Sequence, residues 1–132
     1  MRFMLTVPEG ARPDERTMAR MMEYNKSLKK AGVLLAIDGL FPYSTGARIT
    51  FPDGKATVTD GPFPEAKEII GGYWIIQVSS REEAIEWARR APMSDNEIVE
   101  VRQIQEMGDF PEDVQKAVEG FTDLPNAAAA KA

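Results

Sequence analysis

The 132-residue chain predicts an α+β domain in which an antiparallel sheet carries two helices on one face. Three observations lead there. Short alternating or β-branched segments recur at the start, middle and end of the chain. Two helical segments, each with a start signal, lie between them. A Pro52-Asp53-Gly54 turn marks an inserted β-hairpin.

Arg2 to Val7 reads as the first strand, because Phe3, Leu5 and Val7 alternate with the other set; Pro8-Glu9-Gly10 ends it. Pro13-Asp14-Glu15 opens a long helix that runs to about Ala31. Acidic residues occupy its first turn, Lys29-Lys30 its last, and Gly32 its C-terminal cap. Met18, Met21, Asn25 and Leu28 share one face by the three-and-four spacing. Met18, Met21 and Met22 read as core filler rather than a metal site. Val33 to Ile37 is apolar throughout and reads as a buried strand. Arg48 to Phe51 alternates into the turn, and Lys55 to Thr59 returns from it, which gives the hairpin.

Tyr73 to Val78 is rich in aromatic and β-branched residues and reads as a central strand. If Trp74, Ile76 and Val78 face the helices, Tyr73, Ile75 and Gln77 face away. Ser80 and Glu83 give a capping signature, and the helix they open runs to Arg90, with Ala84, Ile85 and Ala88 as its buried stripe. Pro92 stops it. Glu97 to Ile104 is the last main strand. Phe110-Pro111-Glu112-Asp113 starts a short helix to about Glu119, and Ala127 to Ala132 reads as a frayed tail. Two strand–helix–strand units around a hairpin make the ferredoxin-like arrangement. The sheet face without helices carries large aromatic and aliphatic residues. A second copy, sheet against sheet, would cover it, with pockets between the sheets or where a helix meets the interface.

Composition narrows the chemistry. Lys and Arg number 16 against 21 Asp and Glu, so the chain is acidic and lacks the basic footprint of a nucleic-acid binder. There is no Cys and no His. Disulfides, thiolates and the commonest neutral-pH base are therefore excluded. Any acid–base work falls to carboxylates, Lys, Tyr, Asn or Arg, and no metal or cofactor is expected. The run before Pro8 is too short for a secretory signal, and nothing approaches the roughly 20 apolar residues of a membrane span. The expectation is a soluble, cytoplasmic protein with no membrane partner.

The densest backbone constraint is Asp60-Gly61-Pro62-Phe63-Pro64. Gly61 widens the allowed backbone angles, and the two prolines fix φ and remove donors. That stiffness holds Asp60 and the Lys67-Glu68 pair in defined places.

The segment also carries a resemblance. Together with Tyr24-Asn25-Lys26-Ser27-Leu28-Lys29-Lys30-Ala31-Gly32, Gly39-Leu40, Gly46-Ala47-Arg48, Gly72-Tyr73-Trp74, Glu83-Ala84-Ile85-Glu86-Trp87-Ala88 and Glu100-Val101-Arg102, it resembles the YCII-related family, in the branch named for its Asp-Gly-Pro-Phe motif. The blocks define a domain over 1–108, with 109–132 as a C-terminal helix and tail. The resemblance implies a dimeric α+β barrel. A relative in the wider superfamily removes chloride from a chlorinated aromatic ring, with a His and an Asp as the suspected acid–base pair; this chain has no His, so that pair does not carry over intact. Genes of the Asp-Gly-Pro-Phe branch often adjoin genes for extracytoplasmic-function sigma factors.

Candidate catalytic residues are Asp38 and Asp60, and candidate ligand-binding residues are Asn25, Arg48, Lys67 and Tyr73. Asp38, at a strand end beside Gly39, suits a general base or an Asp-Gly turn. Asp60 suits the same chemistry or a turn-holding acceptor. Asn25 is either a ligand-binding amide or an Asn satisfied by backbone. Arg48 pairs a ligand carboxylate or a surface acid. Lys67 anchors an anion or is solvated. Tyr73 donates to a ligand or fills the interface. Two functions follow. One is a small-molecule-binding homodimer with cofactor-free, lyase- or isomerase-type acid–base activity, its pocket lined by Asn25, Asp38, Asp60 and Tyr73. The other is a non-catalytic partner of a sigma factor.

Overall fold

The computed structural model describes residues 1–10, 13–61 and 69–118. Strand β1 (Arg2–Pro8) leads to helix α1 (Glu15–Lys30), strand β2 (Leu34–Gly39), hairpin strands β3 (Ala47–Thr50) and β4 (Thr57–Asp60), strand β5 (Ile70–Gln77), helix α2 (Arg81–Arg89), strand β6 (Glu100–Gln103) and helix α3 (Glu112–Ala117). The main sheet runs β2-β5-β1-β6 with every neighbouring pair antiparallel. β5 separates β1 from β2, and β1 separates β5 from β6. This interleaving of two strand–helix–strand units is the ferredoxin-like topology. The hairpin β3–β4 is a two-stranded sheet of its own.

Local chemistry sets the element ends. The Asp14 carboxylate caps α1 by accepting the Thr17 N–H at 2.7 Å, a bond that holds its pKa below the ordinary range. Gly32 ends the helix at φ +73°. Ser80 Oγ accepts the Glu83 N–H at 3.1 Å, and the Glu83 carboxylate reaches back to the N–H and hydroxyl of Ser79, one residue before the position a reciprocal box would use. Asp53 and Gly54 both take positive φ, as a type I′ hairpin turn requires.

The core lies on one face of the sheet. Phe3 and Leu5 of β1 and Trp74 and Ile76 of β5 meet Tyr24 and Leu28 of α1 and Ala84 and Trp87 of α2. Both helices therefore cover the same face. The Tyr24 ring stands edge-on to Trp74, with centroids 5.3 Å apart, and its hydroxyl donates to the Trp87 carbonyl at 2.7 Å.

Several elements differ from the sequence reading. The apolar run expected as a buried strand begins at Leu34, extends to Gly39, and forms an edge with Leu35 and Ile37 exposed. Asp38 thus lies within a strand rather than after one. β5 starts at Ile70, so Gly71 and Gly72 are inside the ladder; a Cβ on Gly71 would sit 2.7 Å from Glu9 Cα. On α1, Met18 and Met22 are exposed, and the buried stripe is Tyr24 and Leu28 with Met21 beside it. On α2 the stripe is Ala84 and Trp87, with Ile85 half-buried. The last strand, expected over Glu97 to Ile104, is shorter, Glu100–Gln103, and a turn through Asn96 at φ 68° precedes it. The end of the C-terminal helix at Glu119 and the tail lie outside the described residues.

Leu28 has no exposed surface. Leu28→Ala is expected to lower stability by about 2–5 kcal/mol in urea unfolding. Tyr24 adds a pH signature. Burial pushes its hydroxyl up to about 12, against the opposing charge of Arg90. An unfolded Tyr ionises near 10, so above that pH the unfolded chain binds fewer protons than the folded one. Stability is then whole below about pH 10 and falls between about 10 and 12. Tyr24→Phe should flatten that alkaline slope in urea melts taken across the window.

Candidate functional site

The face of the sheet opposite α1 and α2 (the bare face) carries neither of them, and strand register arranges side chains on it in rows. Directly opposed residues of an antiparallel pair share a face. Asp38 opposes Tyr73, Tyr73 opposes Thr6, and Thr6 opposes Glu100. The next row is Ala36, Ile75, Met4 and Arg102. Beyond it stand Gln77 and Arg2. Arg2 is 9% exposed, and its guanidinium donates to both Glu106 oxygens at 2.7 and 3.1 Å.

At the heart of the first row the Tyr73 hydroxyl donates to Asp38 Oδ2 at 2.7 Å. That bond, followed by burial and the carboxylate's charge, raises the Tyr73 pKa, so the phenol keeps its proton. Asp38 reaches this position through a bulge. Leu34 opposes Ile76 but Ala36 opposes Ile75, leaving Leu35 as the extra residue. Without it, Asp38 would stand opposite Gly72 and point to the other face.

Five of the six sequence candidates lie among the described residues, on the main sheet, α1 and the hairpin. Asp38 and Tyr73 are brought together. Asn25 lies on the covered side, where its Oδ1 accepts the Trp74 indole N–H at 2.9 Å and its amide nitrogen sits 4.0 Å from Met22 Sδ. Tyr73 and Trp74 point to opposite faces, so the sheet itself separates Asn25 from the pair. One pocket lined by both is not what a single chain forms. Asp60 is exposed at the end of β4, across from Ala47, and Arg48 is half-buried across from Thr59, both in the separate hairpin. After Asp60 the Gly61 N–H donates to the Gly46 carbonyl at 3.0 Å, a further cross-strand bond beyond the Ala47–Asp60 pair, and a Cβ on Gly61 would meet the Tyr43 carbonyl at 2.6 Å. Lys67, with Pro62 to Glu68, lies outside the described residues. Thr6 and Glu100 escaped the sequence reading; alternation placed Thr6 on the bare face, but only register joins it to Glu100.

Two other hollows are present. A groove of about 520 Å³ between α1 and the end of α2 is lined by residues including Arg20, Glu23, Tyr24 and Arg90. An apolar cleft of about 340 Å³ lies among Met107, Phe110, Val114 and Val118. Neither contains Asp38 or Tyr73. Among the described residues, no group of three or more acidic side chains is placed to hold a metal ion, and no helix is long and apolar enough to cross a membrane.

The fold and the bare face define an α+β sheet-platform protein with a carboxylate–phenol pair on the platform. The chain belongs to the YCII-related family, whose domain matches residues 1–108. It is 34% identical over 76 residues to an uncharacterized protein of Rhizobium meliloti (strain 1021), an alignment that covers 58% of this chain. The chain spans 61% of that relative's own length.

Asn25→Ala removes the only acceptor shown for the Trp74 indole. It is expected to cost about 1–3 kcal/mol in thermal unfolding and to change tryptophan fluorescence. Asp38→Asn and Tyr73→Phe, at the exposed pair, should leave the unfolding midpoint nearly unmoved. Equal losses in all three would contradict the division between covered and bare faces.

Proposed function

We propose that the protein is a small-molecule-binding homodimer whose site lies on the bare sheet face, with Asp38 as its base and Tyr73 as the group that positions it. The observation that carries this reading is the 2.7 Å bond from the Tyr73 hydroxyl to Asp38 Oδ2 on the face opposite α1 and α2. The bond fixes one carboxylate oxygen and leaves the other to accept a ligand proton. The reaction class this suits is proton abstraction in a lyase- or isomerase-type step, run without a cofactor.

A second copy gives the face its cover. Met4 and Ile75 are half-buried on this face, which neither α1 nor α2 covers. Sheets stacked face to face lie about 10 Å apart, enough to exclude water and strengthen each polar contact between them. Ile75→Asp is expected to convert a dimer to monomers or insoluble protein in light scattering. A soluble dimer in that variant, or a monomeric wild type, overturns the sheet-to-sheet arrangement. A thermal-shift screen of small phenols, acids and metabolites tests the site itself. A ligand should raise the wild-type midpoint and leave Asp38→Asn unmoved. Equal shifts in both proteins would remove Asp38 from the site.

A further inference from the structure

A single chain leaves the hairpin β3–β4 with its apolar face to water. Residues directly opposed in the ladder share a face, and successive residues alternate. Ile49 opposes Val58 and Ala47 opposes Asp60 on one face; Arg48 opposes Thr59 and Thr50 opposes Thr57 on the other. Alternation adds Phe51 and Ala56, the next positions toward the turn, to the Ile49 face. That face is apolar except for Asp60 at its base. It is also the open one: Ile49 is 50%, Val58 65% and Phe51 67% exposed, whereas the half-buried residue of β3 is Arg48, on the polar face. The hairpin shares no ladder with the main sheet, and none of its residues joins the core. A two-stranded hairpin alone is at best marginally stable in water, and a second layer on its apolar face is what such an element lacks.

The open area fits a second copy of this chain. An aromatic side chain covers roughly 150–250 Å². Phe51 and, on the segment that leads into the hairpin, Phe41 at 89% exposure therefore leave about 300 Å² open between them. Leu40, Ile49 and Val58, each half or more exposed, bring the apolar area to roughly 600 Å². Met by its own image, that area buries roughly 1,200 Å², where stable interfaces begin.

Charge selects the orientation. The chain carries a net charge of −5, yet within the hairpin Arg48 and Lys55 balance Asp53 and Asp60. Two hairpins can therefore meet without the repulsion that the rest of the surface imposes. Asp60 stands at the base of the hairpin and Lys55 at its turn. Among the described residues neither has an ion-pair partner. Packed antiparallel, each Lys55 lies beside Asp60 of the other copy, and each Phe51 lies toward the other copy's Phe41. Packed parallel, like charges would meet.

We infer that the hairpin is a self-association arm: Ile49, Phe51 and Val58 pack on the same face of a second copy, antiparallel about a two-fold axis, with Lys55 and Asp60 paired across it. The contact is separate from the sheet-to-sheet one and does not rest on the bare-face site. The chain has no Cys, so one introduced thiol reports the contact without background. Val58→Cys and Thr57→Cys place exposed thiols on opposite faces of the same strand. Each intact variant is treated with a short bismaleimide at low protein concentration, where yield follows affinity, and read on a denaturing gel. Val58→Cys should give a covalent dimer and Thr57→Cys should stay monomeric. Adding Lys55→Asp to Val58→Cys should lower the dimer yield roughly two- to fivefold for each ion pair lost, the range of an exposed pair. Adding Asp60→Lys as well should restore it. Cross-linking from both faces, or from neither, overturns the arm. A yield that Lys55→Asp leaves unmoved, or that Asp60→Lys fails to restore, overturns the antiparallel pairing. Ile75→Asp reads the sheet face, so either contact can fail alone.

Discussion

The pairing of β1 with β5 decides on which side of the sheet every important side chain stands. Phe3 opposes Ile76 and Leu5 opposes Trp74, and those four residues form the centre of the core. The alternate pairs, Met4 with Ile75 and Thr6 with Tyr73, are carried to the bare face by the same ladder. A slip of one residue would bury Tyr73 and Ile75 under the helices and expose Trp74 and Ile76. Burial of two aromatic and two aliphatic side chains therefore fixes the register, and the register places the polar row. The ladder ends where Pro8 follows Val7 with a shift in pairing, and Gly71 lets the Pro8-Glu9 backbone pass closer than any side chain would allow.

On the covered face the polar groups of the aromatic cluster are paired. The Trp74 indole is held by Asn25 and the Tyr24 hydroxyl by the Trp87 carbonyl, so each helix has one hydrogen bond tied into the aromatic cluster. Among the described residues, no fully buried side-chain nitrogen or oxygen lacks a partner. Such bonds contribute little net stability when made but cost about 1–3 kcal/mol when one side is deleted. They orient the rings more than they strengthen the fold. Asn25 belongs to this locking set.

Face assignment was legible in the sequence because Phe3, Leu5 and Val7, and Trp74, Ile76 and Val78, alternate strictly. The caps at Gly32 and Ser80 were legible because each residue type has a local geometric use, whereas Asp14, read with the first turn, is the cap itself. Edge position was not. A continuous apolar run such as Leu34 to Ile37 has the same composition in a buried central strand as in an edge strand with one apolar face still open. Asp38 and Tyr73 were both readable as candidates, yet their meeting depends on a bulge that no pattern in Val33 to Gly39 announces. Asn25 stood out as the polar member of an apolar stripe. Its partner is an indole on another element, and a single helix cannot disclose that.

The bulge links the fold to the proposed site. A regular β2–β5 ladder would satisfy both strands without it and would send Asp38 toward the helices. The extra residue breaks the ladder between Leu34 and Ala36 and leaves Leu35 38% exposed. Its gain is the direction of one carboxylate. The Tyr73–Asp38 bond it makes possible is exposed within the chain and adds nothing to the core, so stability does not explain it. Bulges near sites commonly re-aim a single side chain. Here the re-aimed group meets a phenol that keeps its proton, in line with Thr6 and Glu100, on the face opposite α1 and α2. The irregularity in the edge strand thus adds Asp38 to a row that the β1–β5 and β1–β6 registers already set, as the proposed ligand site requires.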